Sequence, residues 1–173
     1  MDDVLRDILH EFQRHKGLAD RAMAQLSDDE FVCRPASHVN SVAIIVKHLA
    51  GNLLSRWTDF LTSDGEKASR NRDGEFQLTQ EDTRTDLIAA WDRGWAALFD
   101  AVESLASSDL TRSITIRGER QTVLQALLRG MSHAAYHVGQ ILYIVRQLQP
   151  NSMWLTIAPG QSSNQQGTYR ENL

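Results

Sequence analysis

Apolar side chains recur at three- and four-residue intervals along most of this chain, which is the period of helices that bury one side. Between residues 3 and 26 the apolar positions are Leu5, Ile8, Leu9, Phe12, Ala19, Ala22, Met23 and Leu26, predicting an amphipathic first helix. "SDDEFVCRPAS" (27–37) breaks the pattern, and Pro35 ends any helical run there. Asn40 or Ser41 can cap a second helix running from Val42 to about Leu61. That helix is apolar over most of its circumference, which predicts a central position.

Residues 62–76, "TSDGEKASRNRDGEF", hold two Asp-Gly pairs and mixed charges and read as a long structured surface loop. Loops of that length tend to be functional or disordered. Thr79 can cap a third helix, with Leu87, Trp91, Trp95, Leu98, Val102 and Leu105 along one stripe. "RSITIRGERQT" (112–122) alternates around Gly118, so a small hairpin or extended turn is expected near 112–121. Thr122 and Gln125 form a capping-box pattern, and a fourth helix should run to about Gln149, where Pro150 stops it. Four such helices predict an all-α four-helix bundle. The length of 173 residues suits one domain over 1–173. Its tail, 151–173, starts apolar and ends polar, and is expected to pack on the bundle or on a partner subunit.

Charge narrows the function classes. The formal net charge is −4 and there is no basic stripe, which argues against a nucleic-acid partner. No apolar run approaches the roughly 18 residues of a membrane span, and "MDDVLRDILHEFQ" is too acidic for a signal peptide. A single cysteine, Cys33, fits a reducing, cytoplasmic setting and reads as an ordinary thiol. His38 reads as a solvated loop residue, and His15 as a histidine at the core edge.

The candidate chemistry lies in "MSHAAYHVGQI" (131–141). His133 and His137 are four apart, so their rings are neighbours on a helix and can share one metal ion. The strongest apolar arc of this helix holds Leu124, Leu127, Met131, Ala135, Val138, Leu142 and Val145, with the histidines roughly 100–140° from its centre. No glutamate follows the first histidine, so the metalloprotease His-Glu-x-x-His reading is rejected. His48, midway along the apolar second helix, is the best third ligand, because an unpaired imidazole there would be costly. Three neutral imidazoles with open positions describe a catalytic-type divalent metal site for zinc, nickel or iron(II). Asn52, one turn beyond His48, and Tyr136 can hydrogen-bond a substrate, and Arg70 and Arg72 can clamp an anionic one. Trp57, Trp91 and Trp95 read as core or interface aromatics.

"KHLAGN" (47–52) together with "SHAAYHVGQI" (132–141) resembles the DinB-like superfamily of candidate metalloenzymes. "SRWTDFLTSDGEKASRNRDGEF" (55–76) and "WLTIAPGQS" (154–162) resemble a branch whose members are mostly of unknown function. The resemblance implies an up-down-down-up bundle, a homodimer, and a divalent metal on His48, His133 and His137. Relatives include thiol-dependent transferases, so it also implies a small-molecule substrate with a low-molecular-weight thiol as cosubstrate. Metal-assisted hydrolysis and a non-catalytic, metal-binding dimeric module are the alternatives.

Overall fold

The computed structural model describes residues 3–161. Five helices form: α1 (Asp3–Met23), α2 (Asp28–Val32), α3 (Val42–Trp57), α4 (Arg84–Glu103) and α5 (Val123–Leu148). A two-stranded antiparallel hairpin, β1 (Ser113–Ile116) and β2 (Glu119–Thr122), precedes α5. The architecture is an all-α bundle of four long helices with this hairpin and the long 58–83 connection on its flank. Among the described residues no helix is long and apolar enough to cross a membrane.

Local chemistry sets the boundaries. Ser41, rather than Asn40, caps α3 by accepting from the Ile44 amide. Thr122 and Gln125 make the expected capping box on α5. Three expectations change. The first helix stops at Met23, and Ser27 and Glu30 form a capping box that starts the short α2 inside the segment read as a break. The second helix ends at Trp57, because Thr58 closes it and Asp59 takes a left-handed φ of 49°. Thr83, not Thr79, caps α4. Thr79 instead gives its amide and hydroxyl to Asp82, which also pairs with Lys47 on α3. That three-way demand on one carboxylate holds 79–82 as a turn.

Helix directions follow from which ends meet. Lys47, in the first half of α3, reaches Gln77 and Asp82 just before α4, while Trp57 and Thr58 share a cleft with Ala97, Asp100 and Ala101 late in α4. Helices α3 and α4 therefore run parallel, which is why a 26-residue connection joins them. Arg84 at the start of α4 donates to the Met23 and Leu26 carbonyls at the end of α1, so α1 and α4 are antiparallel. Leu142 and Val145 late in α5 face Ala22 late in α1, so that pair is parallel. The order is up-down-down-up. Phe12, Trp91 and Trp95 meet edge-to-face at its centre, and Trp57 is buried beside Phe60.

The 58–83 connection is lashed to its neighbours. Asp64 accepts from the Arg117 and Gly118 amides at the hairpin tip, at 2.8 and 2.9 Å. Ser55 of α3 donates to the Gly65 carbonyl and accepts from the Lys67 amide. A 3-10 turn, Asp73–Phe76, then lies against α3. In the tail, Leu155 packs on the core, Trp154 lies under the Arg146 guanidinium and the Met153 amide donates to Gln25. The rest of the tail, 162–173, lies outside the described residues.

Candidate metal centre

His48 stands on the inner face of α3, and His133 and His137 on consecutive turns of α5. The bundle brings the three together. One ring nitrogen from each lies within 4.8 Å of the others. The His133 and His137 Nε2 atoms are 3.2 Å apart, within hydrogen-bond distance of each other. His48 is buried and its two partners are half-buried.

Each outer nitrogen with a partner is held in a defined way. His48 Nδ1 donates to Glu75 Oε2 at 2.8 Å, and His137 Nδ1 donates to Gln140 Oε1 at 2.9 Å. Both bonds place the proton on Nδ1 and leave the Nε2 lone pair free, which is the usual outer arrangement of a metal-ligating histidine. Burial raises the proton affinity of Glu75, but hydrogen bonds from His48 and Arg70 outweigh it and hold the carboxyl below its ordinary range. Burial and the neighbouring histidines push His133 down to about 3. Burial and His48 also lower His137. Both are neutral imidazoles near pH 7, with lone pairs available. The donor set fits a divalent metal ion.

The Asp73–Phe76 turn supplies two contacts to His48: Glu75 at Nδ1 and Phe76 across the ring, 4.6 Å between centroids. The close approach of Glu75 depends on Gly51. A Cβ at that position would lie 2.3 Å from Glu75 Oε1.

A cavity of about 200 Å³ opens beside the cluster, walled by His48, Asn52, Arg56, Arg72, Arg117, Arg129, Gly130 and His133. Asn52 and Arg72 both line this cavity. Arg70 is placed differently. Its buried guanidinium is committed to Glu75 through two bonds of 2.7 and 2.8 Å, and to Glu66. It braces the carboxylate behind His48 and has no free fork for a substrate. Tyr136 is 70% exposed and is not part of the cavity wall. Cys33 and His38 are exposed on the loop before α3. His15 is buried on α1, with its Nδ1 unpartnered.

The face of α5 also differs from expectation. The buried residues are Val123, Ala126, Leu127, Ala134, Val138, Ile141, Ile144 and Val145, while Leu124 and Leu128 are exposed. The buried side is rotated by roughly 70° toward the histidines. Counting apolar residues could not reveal this, because Leu124 and Leu128 are apolar yet face away from the other helices. Sequence reasoning also missed Glu75, Gln140, Arg56, Arg117 and Arg129. Gln140 was legible as i+3 from His137, and Arg56 and Arg129 continue the four-residue strips 48–52–56 and 129–133–137. Nothing in the linear pattern ties Glu75 to His48.

Comparison with known proteins agrees with this architecture. No curated protein matches the chain. The crystal structure of the DinB-like protein YjoA from Bacillus subtilis superposes with a TM-score of 0.65 at 22% identity, covering 86% of this chain and 96% of that one. The model of a family described as a protein of unknown function, DUF1572, matches residues 2–161. With a DinB-like fold and a family match over nearly its whole length, the chain belongs to DUF1572.

Proposed function

We propose that this protein is a divalent-metal-dependent enzyme, with the metal on His48, His133 and His137, that transfers a low-molecular-weight thiol to a small electrophilic substrate. The observation that carries the reading is the convergence of three imidazoles, two of them with Nδ1 already engaged by Glu75 and Gln140. The group has no fourth histidine, cysteine or carboxylate among the described residues. Structural zinc sites are usually closed by four protein ligands, whereas catalytic sites keep a position open. A divalent ion bound there supplies a Lewis acid that lowers the pKa of a thiol or water.

The chain's own residues do the positioning. Glu75 fixes the tautomer and orientation of His48, Gln140 does the same for His137, and Phe76 covers one face of His48. Asn52 offers an amide to a substrate in the cavity. No carboxylate lines that cavity to act as a general base. This supports thiol transfer over hydrolysis, since a thiol is acidic enough to ionise without one.

The test is elemental analysis of tag-free protein beside His48→Ala, His133→Ala and His137→Ala, followed by a thiol and electrophile screen with the metal found. Near-stoichiometric metal in the parent and its loss in each variant are expected. Folded variants that retain the metal would overturn the three-histidine assignment. Metal-loaded protein inactive across the screen would overturn the transferase assignment and favour a non-catalytic module.

A further inference from the structure

Four guanidiniums from four parts of the chain meet at the cavity beside the histidines: Arg56 from α3, Arg72 from the long connection, Arg117 from the hairpin tip and Arg129 from α5. The wall contains no aspartate or glutamate. Arg56 is only 8% exposed, its Nε is buried without a partner, and it makes no hydrogen bond or ion pair among the described residues. A buried guanidinium left in that state is costly unless something charged completes it. Arg129 likewise makes neither kind of contact among the described residues. Arg117 reaches Glu66 only through Nε at 3.4 Å, and Glu66 is shared with Arg70. Arg72 pairs with the exposed Asp73 at 3.7 Å, and its guanidinium lies over the Phe76 ring, 5.3 Å from the centroid. Burial first, and then the charges of Arg129, Arg70 and Arg117 against that of Glu66, push Arg56 down to about 10.

We infer that this cavity binds a small dianion, a phosphoryl group or a pair of carboxylates, through Arg56, Arg117 and Arg129, with Arg72 completing the wall. Guanidinium forks match the planar oxygen pairs of these groups, and charge-assisted bonds to several forks are the strong kind. A cavity of about 200 Å³ suits the charged end of a small molecule. His48 and His133 share the same wall, so the anion would hold the non-reacting end of a substrate beside the reaction centre. That last step rests on the metal-dependent reading; the anion site itself does not.

Calorimetric titration of the full chain at low ionic strength, after chelator treatment, tests the inference with sodium succinate and inorganic phosphate as probes and succinamide as the neutral control. Saturable binding of at least one anion and none of succinamide is expected. The tighter anion distinguishes paired carboxylates from a phosphoryl group. Arg129→Gln and Arg117→Gln, both at exposed positions, should each weaken binding about tenfold or more. Arg93→Gln, a cation outside the cavity, should leave it unchanged. No saturable anion binding, or binding indifferent to Arg129→Gln and Arg117→Gln, overturns the inference. Protein that takes up metal but no anion would sink this inference alone. Protein that binds the anion but no metal would sink the metal reading alone.

Discussion

Glu75 accepts from His48 on one side and from two Arg70 nitrogens on the other, so its charge and shape are both in use. Glu75→Gln keeps the size but replaces one acceptor with a donor. It should lower metal affinity about 10- to 100-fold, read by competition with a chromophoric chelator. An unchanged affinity would mean that the carboxylate does not orient His48 for the metal. His15 makes a separate point about pH. Burial, helped by the Arg14 charge, lowers its pKa in the folded protein below the ordinary 6.5. Below pH 6.5 the unfolded chain therefore binds a proton that the folded one resists. The associated stability is present above that value and lost as pH falls toward the folded pKa. Urea unfolding at pH 7 and pH 5 should show a smaller loss in His15→Gln than in the parent.

At the scale of elements, the site depends on how closely the Asp73–Phe76 turn approaches α3. Gly51→Ala would drive Cβ into Glu75, and the turn must retreat. Metal affinity should fall by about the same factor as in Glu75→Gln, with the far-ultraviolet circular dichroism spectrum unchanged. The double variant should be no worse than either single one, because both remove the same contact. Arg84 adds a polar tie between α1 and α4 to their packed aromatics: its guanidinium satisfies the Met23 and Leu26 carbonyls where α1 ends. Arg84→Ala leaves those acceptors short of a donor and should cost about 1–3 kcal/mol in urea unfolding.

For the whole molecule, the three histidines join α3 to α5, so a bound metal ties two helices that the hydrophobic core already packs. Binding to the folded state alone should raise stability by about 2.7 kcal/mol at a hundredfold excess over Kd, seen as a chelator-reversible rise in Tm. Histidine-to-alanine variants should show no such rise. If the chain pairs with a second copy, as the family resemblance implies, one exposed apolar face is available to it. Leu124, Leu128, Tyr136 and Tyr143 lie on the outer side of α5 and are all exposed. Sedimentation equilibrium should give twice the chain mass, and Leu128→Glu should return it to one. A monomeric parent would remove the dimer from the account.

The periodic apolar positions, the capping residues before α3 and α5 and Pro150 were enough to place all four long helices, with the ends of α1, α3 and α4 off by about a turn. The four-residue spacing of His133 and His137 put two rings together, because an α-helix fixes that geometry locally. Those properties are written in short stretches of sequence. The rest required distant segments to meet. Asp82, taken by Lys47 and Thr79, moved the start of α4 to Thr83. The packing of α5 turned its histidine strip inward. The 58–83 connection carried Glu75 to His48 and tied up Arg70, and the hairpin and α5 brought Arg117 and Arg129 to face Arg56. None of these pairings has a sequence period, since each depends on where a turn or crossover returns the chain. Tertiary structure therefore decided which arginine braces the site, which ones face the cavity, and what holds the first histidine in place.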